Sequence, residues 1–216
     1  MYYVVVDLEM CSIPKSNRTI DFKWSTELIQ IGAVMLNENY QIVDQFMTYI
    51  KPQYGRLNSF IERLTGITDD DLINAPTTEE GIKRFLEWIP DDVIMVQWSE
   101  NDKYQLLREI KGKKIDCKDL HKIQDNWVDC QVQFTQIMKA ERIFNLQEAL
   151  NISDIDYNLN LHDGLVDASN TALLFEKMNM EKPFKFNKYY LETEESNDVL
   201  STSLGDLFGM KQINIA

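Results

Sequence analysis

Three residues, Asn37-Glu38-Asn39, separate two long apolar runs, "ELIQIGAVML" (27–36) and "YQIVDQFMTYI" (40–50). A link that short permits only antiparallel pairing, because parallel strands need a crossover of a dozen residues or more. An earlier run, "YYVVVDLE" (2–9), is rich in β-branched residues and reads as a buried strand. Gly32, inside the second strand, marks a place where another backbone can approach closely. The chain therefore opens with three strands in an antiparallel meander.

After the loop "KPQYGRLN" the pattern changes. "TDDDLINAP" predicts a short helix with Thr68 as N-cap and acids in its first turn. "TTEEGIKRFLEWI" (77–89) has apolar residues at 82, 85, 86 and 89 and stops before Pro90, which predicts a helix. "VIMVQW" (93–98) predicts a buried strand, "NDKYQLLREIKG" a helix ended by Gly112, and "NWVD" a last short strand. "CQVQFTQIMKA", "NLQEALN" and residues 162–178 predict three further helices. The expected architecture is α/β: a mixed five-stranded sheet, three antiparallel strands then parallel ones, flanked by helices. Beyond Met178 the chain turns polar and acidic. Residues 1–180 thus read as one domain. Residues 181–216 read as a C-terminal tail in which "SLGDLFGM" forms an amphipathic turn or two that docks on the core or on a protein partner.

A net charge of -13 weighs against a protein that grips nucleic acid through a broad basic face. It leaves room for an enzyme that holds a few nucleotides through metal ions. No apolar run approaches the ~20 residues of a membrane span, and "MYYVVVDLEM" lacks the basic leader of a signal peptide. Cys11, Cys117 and Cys130 are odd in number and widely spaced, so they form neither a disulfide framework nor a zinc motif. The expected setting is reducing and cytoplasmic, with no membrane contact.

The acids carry the chemistry. Asp7 and Glu9 point to the same side of the first strand. Either a cation neutralises them, or the strand has left the core and both face water. Asp102 follows "VIMVQW" at the opening of a helix, and Asp167 lies one turn into the helix that begins near His162. Strand ends and the helices that follow them converge on one crevice in an open α/β sheet, so these acids can meet there. Such a set suits hard divalent cations. Two cations roughly 3.5–4 Å apart can clamp both oxygens of a phosphodiester displacement. An imidazole, with an ordinary pKa of about 6.5, suits the removal of a water proton near neutral pH.

"DLE" (7–9), "WSENDK" (98–103) and "HDGLVDA" (162–168) resemble the three motifs of the DEDDh 3′-to-5′ exonucleases, which have an RNase H-like fold. "ELIQIGAVML" is similar to that family's second strand, and "LTGIT" within "IERLTGITDDDL" (61–72), combined with "WSENDK", most resembles the branch of histone-mRNA exonuclease-like and KapD-like proteins. The resemblance spans roughly residues 2–178. It implies a fold of RNase H type and an enzyme that releases nucleoside 5′-monophosphates from single-stranded 3′ ends, RNA favoured over DNA, with two Mg²⁺ or Mn²⁺ ions. It implies that Asp7, Glu9 and Asp167 hold the metals, with Asp7 between them, that Asp102 acts mainly through coordinated water, and that His162 is the general base. Met10, Cys11 and Ser12 would line the terminal sugar, and Leu64, Thr65, Gly66 and Ile67 would pack against its base. Ser99 stands where this branch often has glycine.

Asp163 reads as an N-cap, Asp69 to Asp71 as a solvated first turn, and Asp129 and His121 as structural or surface residues. "TGI" (65–67) also fits a plain turn before a helix. Cys11 reads as a small packing residue rather than a nucleophile. Phe85 and Trp98 read as core. The alternative function is a nucleic-acid-binding or regulatory protein that keeps the exonuclease fold without cleavage. A phosphatase with an aspartyl nucleophile fits poorly, because the second acid of the first motif is glutamate.

Overall fold

The computed structural model describes residues 1–187 and Tyr189. Its elements run β1 (Tyr2–Ser12), β2 (Thr26–Leu36), β3 (Ile42–Tyr49), α1 (Ser59–Thr65), α2 (Asp69–Ile73), α3 (Thr78–Trp88), β4 (Val93–Gln97), α4 (Asn101–Gly112), α5 (His121–Gln124), β5 (Trp127–Asp129), α6 (Cys130–Met138), α7 (Leu146–Ile152) and α8 (Gly164–Met180). The five strands form one sheet in the order β3-β2-β1-β4-β5. The β1–β2 and β2–β3 pairs are antiparallel; β1–β4 and β4–β5 are parallel. This is the mixed sheet expected from the short Asn37–Asn39 link and the later strand–helix alternation.

Alternating side chains give the sheet two apolar faces. On one, Val4, Val6 and Leu8 pack with Ile31, Ala33, Ile82, Phe85, Leu106 and Ile110, so α3 and α4 cover it. On the other, Val5 and Val34 pack with Phe134, Leu150, Leu174 and Phe175, from α6, α7 and α8. Trp98 joins this second face and Phe85 the first, both as core residues.

Two helices go beyond the sequence reading. Residues 59–65 form α1 because the Asn58 side chain accepts N–H bonds from Phe60 and Ile61, and Gly66, at φ 73°, closes the far end. The four-residue α5 begins at His121, an exposed position. Past α8 the chain lays Phe184 and Phe186 against the second apolar face, and the Asn187 N–H donates to the Ile152 carbonyl. The expected docking element "SLGDLFGM" lies outside the described residues. Among the described residues no helix is long and apolar enough to cross a membrane.

Two details of this architecture place side chains. β4 pairs with β1 only from Tyr2 to Val5, so the two strands part before Leu8 and leave its N–H free. On the other edge of β1, Glu9 pairs with Gln30 and Met10 with Leu28, so Ile29 is an extra residue in β2. A bulge of this kind bends a strand and re-aims its side chains.

Candidate active site

Asp7 and Glu9 lie on the β1 face that receives α8. The start of α8 sits hard against the sheet: a Cβ on Gly32 would fall 2.1 Å from the Gly164 carbonyl carbon. Only glycine permits that approach, which meets the expectation for Gly32. The Gly164 N–H donates to Gln30 Oε1 at 2.9 Å, which ties the helix to β2. Asp163 is the N-cap of α8, its Oδ1 accepting from Leu165 and Val166 N–H at 3.0 and 3.2 Å. One turn in, Asp167 is delivered to the β1 acids, 8% exposed beside Glu9 at 9%.

Asp102 arrives from the opposite side. It opens α4, is 7% exposed, and takes the N–H that the departure of β4 left free: Leu8 N to Asp102 Oδ1 is 3.2 Å. The four carboxyls share one electrostatic environment. Burial first, then the charges of Asp102, Glu9 and Asp167, hold the Asp7 pKa well above the usual carboxylate range. Burial and the neighbouring Asp167 and Asp102 push Glu9 up to about 8. Burial lifts Asp102 to about 7 against the opposing pull of the Leu8 N–H bond. Asp167 is also raised by burial, opposed by the His162 N–H. Among the described residues no lysine or arginine forms an ion pair with any of them.

His162 stands at the mouth of this pocket, exposed, with its backbone at φ 66° in the left-handed region. Its N–H donates to Asp167 Oδ2 at 2.8 Å, which anchors the backbone and leaves the ring unencumbered. Glu9, His162 and Asp167 each offer a donor atom, and these atoms all lie within 4.8 Å of one another. Asp167 Oδ1 is buried and has no hydrogen-bond partner. The two carboxylates of this trio, held close together, mutually repelled and with Asp167 Oδ1 unpartnered, fit a hard divalent cation, with the imidazole beside it.

The expected substrate residues divide into two kinds. Cys11 and Ile67 are 1% and 2% exposed and pack together with Ile29 and Leu72 in a small apolar cluster, so their side chains form the wall's interior rather than its surface. Burial pushes the Cys11 thiol up to about 12, consistent with a packing residue. Met10, Leu64 and Thr65 are half-buried, while Ser12 and Gly66 are exposed. Thr65 ends α1, its hydroxyl donating to the Ile61 carbonyl and accepting the Ile67 N–H, so "LTGI" is a capped helix end. Asp129 caps α6 and Asp71 forms a capping box with Thr68, both structural roles as expected.

Sequence reasoning missed Gln30 and Gly164, which hold α8 to the sheet. Gln30 is the cross-strand partner of Glu9, a relation visible only once the register is known. Gly164 carried a signal, a glycine between an N-cap and an apolar helix, but its counterpart Gly32 is far away in sequence.

The pattern described as exonuclease (RNase_T) matches residues 4–175. The chain is 29% identical to a PolC-type DNA polymerase III of Caldanaerobacter subterraneus, over 82% of this chain and 11% of that protein. It is 29% identical to ERI1 exoribonuclease 2 of Danio rerio, over 82% of this chain and 35% of that protein. It is 28% identical to the DNA polymerase III subunit epsilon of Aquifex aeolicus, over 85% of this chain and 83% of that protein. The chain thus spans about a tenth of the first of these relatives and about a third of the second. Its fold is similar to the nuclease domain of 3′hExo, a DEDDh family member bound to rAMP, with TM-score 0.66 at 21% identity over 86% of this chain and 96% of that one. Cell-death related nuclease 4 superposes with TM-score 0.68 at 19% identity, over 82% and 63% of the two chains.

Proposed function

The chain belongs to the exonuclease (RNase_T) family, and on that footing we propose that it is an enzyme of the DEDDh type that hydrolyses the last phosphodiester of single-stranded nucleic acid, from the 3′ end, with RNA preferred to DNA. The observation that carries this reading is the pocket itself: four acids from β1, α4 and α8, three of them less than a tenth exposed, with no lysine or arginine paired to them among the described residues, beside an exposed imidazole. Asp7, Glu9 and Asp167 would hold the divalent cations, Mg²⁺ or Mn²⁺, two in number on this reading, and Asp102 would contribute through coordinated water. When bound, the cations polarise the phosphodiester and lower the pKa of the attacking water. His162 takes the proton of the attacking water: a ring nitrogen lies within 4.8 Å of a carboxylate oxygen of Glu9 and of Asp167, and its exposure lets it pass the proton to solvent. Asp167 Oδ2 holds the His162 backbone in place. The half-buried Met10 and Leu64 meet the terminal nucleotide, with Ser12, Thr65 and Gly66 beside them and Cys11 and Ile67 supporting from behind.

A binding protein without cleavage has no use for buried acids that repel one another, which favours the enzyme. The likeness to an exoribonuclease supports RNA, while the likeness to DNA polymerase subunits supports DNA. A gel assay with matched RNA and DNA single strands, with Mn²⁺ or with chelator, decides both points. The expected result is shortening from the 3′ end to nucleoside 5′-monophosphates, faster on RNA and abolished by chelator. Equal or faster digestion of DNA would sink the RNA preference, and no digestion of either would sink the enzyme.

A further inference from the structure

A second group of buried charges lies apart from the acid pocket. Glu27, at the start of β2, is wholly buried. Its carboxylate accepts three successive backbone N–H bonds, from Gln53 at 2.7 Å, Tyr54 at 2.8 Å and Gly55 at 2.5 Å. Lys113 Nζ donates to the same carboxylate at 2.5 Å, to Thr78 Oγ1 at 2.5 Å, and lies 2.9 Å from Glu109 Oε2. Glu109, also wholly buried, accepts the Leu28 N–H at 2.8 Å, beside the extra residue of the bulge. One network thus joins the loop before α1, the first turn of α3, the C-terminal end of α4 and the bulged part of β2.

The loop it holds rests on one segment assigned to the terminal nucleotide and leads through α1 into the other. A Cβ on Gly55 would lie 2.3 Å from Cys11 Sγ, so the loop backbone rests on the end of β1. The Arg56 N–H donates to the Ser12 carbonyl at 3.0 Å. Asn58 then caps α1, which leads through Gly66 to Ile67, buried against Cys11. Residues 10–12 and 64–67 are set relative to one another through this loop. A buried ion pair is weak evidence for stability, since apolar residues of equal volume often serve as well. What a carboxylate supplies and a leucine cannot is a fixed register for three amides.

We propose that Glu27 is a positioning residue for the 3′-terminal nucleotide: with Lys113 it clamps residues 53–55 and so sets the spacing between the 10–12 and 64–67 walls of the binding cleft. This rests on the exonuclease reading. Glu27→Gln keeps the size of the side chain and removes the charge that holds the lysine and the amides. KM for a single-stranded oligonucleotide is expected to rise about tenfold, while kcat and the Mn²⁺ binding isotherm, measured by calorimetry, stay within about twofold of wild type. Glu27→Asp, which keeps the charge but is too short to reach both the lysine and the loop, is expected to raise KM about threefold, and it carries the test alone if Glu27→Gln does not fold. An unchanged KM in folded variants, or a fall in kcat with KM constant, overturns the proposal. A wild-type protein that binds Mn²⁺ but cleaves no oligonucleotide overturns the exonuclease reading instead.

Discussion

Two groups of buried carboxylates sit on the same sheet with opposite fates. Glu27 and Glu109 are buried with a lysine between them, and backbone amides take up the remaining oxygens. Asp7, Glu9, Asp102 and Asp167 are gathered with no lysine or arginine among the described residues to pair with them, and Asp167 keeps an oxygen without any partner. In the first group one lysine and several amides offset two carboxylates, enough to hold it as structure although burial still raises the Glu109 pKa. The second carries surplus negative charge into a region that water barely reaches, a state that is costly until a cation enters. Burial of an acid does not by itself mark a site; uncompensated charge does.

The contrast can be broken most forcefully at Asp7. Asp7→Asn removes one charge from the uncompensated group, so activity is expected to fall by at least about 10³-fold together with Mn²⁺ affinity, while the thermal midpoint of the cation-free protein holds or rises. Cleavage and calorimetry together check this; a protein that loses activity because it unfolds would contradict it. His162→Ala is expected to slow cleavage by about 10²–10⁴-fold and leave Mn²⁺ binding largely intact, since the assigned ligands are carboxylates. Digestion of a labelled oligonucleotide at the wild-type rate would remove His162 from the mechanism.

The compensated group responds in the other currency. Lys113→Met strands two buried acids and is expected to cost about 3–5 kcal/mol of stability, read as a shift of the denaturation midpoint. A shift under about 1 kcal/mol would mean that the pair is not held as described. The smallest effect is in pH. The acid-pocket groups have folded pKa values above the unfolded range near 4, with Asp102 at about 7 and Glu9 at about 8. A raised carboxyl favours the protonated folded protein, so this contribution is whole below the unfolded pKa and is lost as pH rises through the folded values. The melting temperature of the cation-free protein should therefore drop by several degrees between about pH 5 and pH 8, and Mn²⁺ should restore it. A flat profile would mean that the four acids are not jointly buried.

Much of this was legible along the chain. The meander followed from the Asn37–Asn39 link, the later strands from "VIMVQW" and "NWVD", and the acids from their places at strand ends and helix starts. α1 was not, because seven residues offer too short an apolar period to detect, and its cap signals, Asn58 and Gly66, stood in a stretch that read as loop and turn. Cys11 and Ile67 were placed in the cleft, but which side of a wall a residue faces depends on what packs behind it, here Ile29 and Leu72.

The order of motifs, the alternation of apolar residues and the choice of Asp7, Glu9, Asp102, His162 and Asp167 as candidates could be read from the sequence alone, because strand period, turn length and acid spacing are local properties. Only the tertiary structure decided that the Leu8 N–H would be left for Asp102, that Gly32 and Gly164 would touch, and that Glu27 would be neutralised while Glu9 would not. Those outcomes depend on which distant groups share a low-dielectric space, and no linear spacing encodes that.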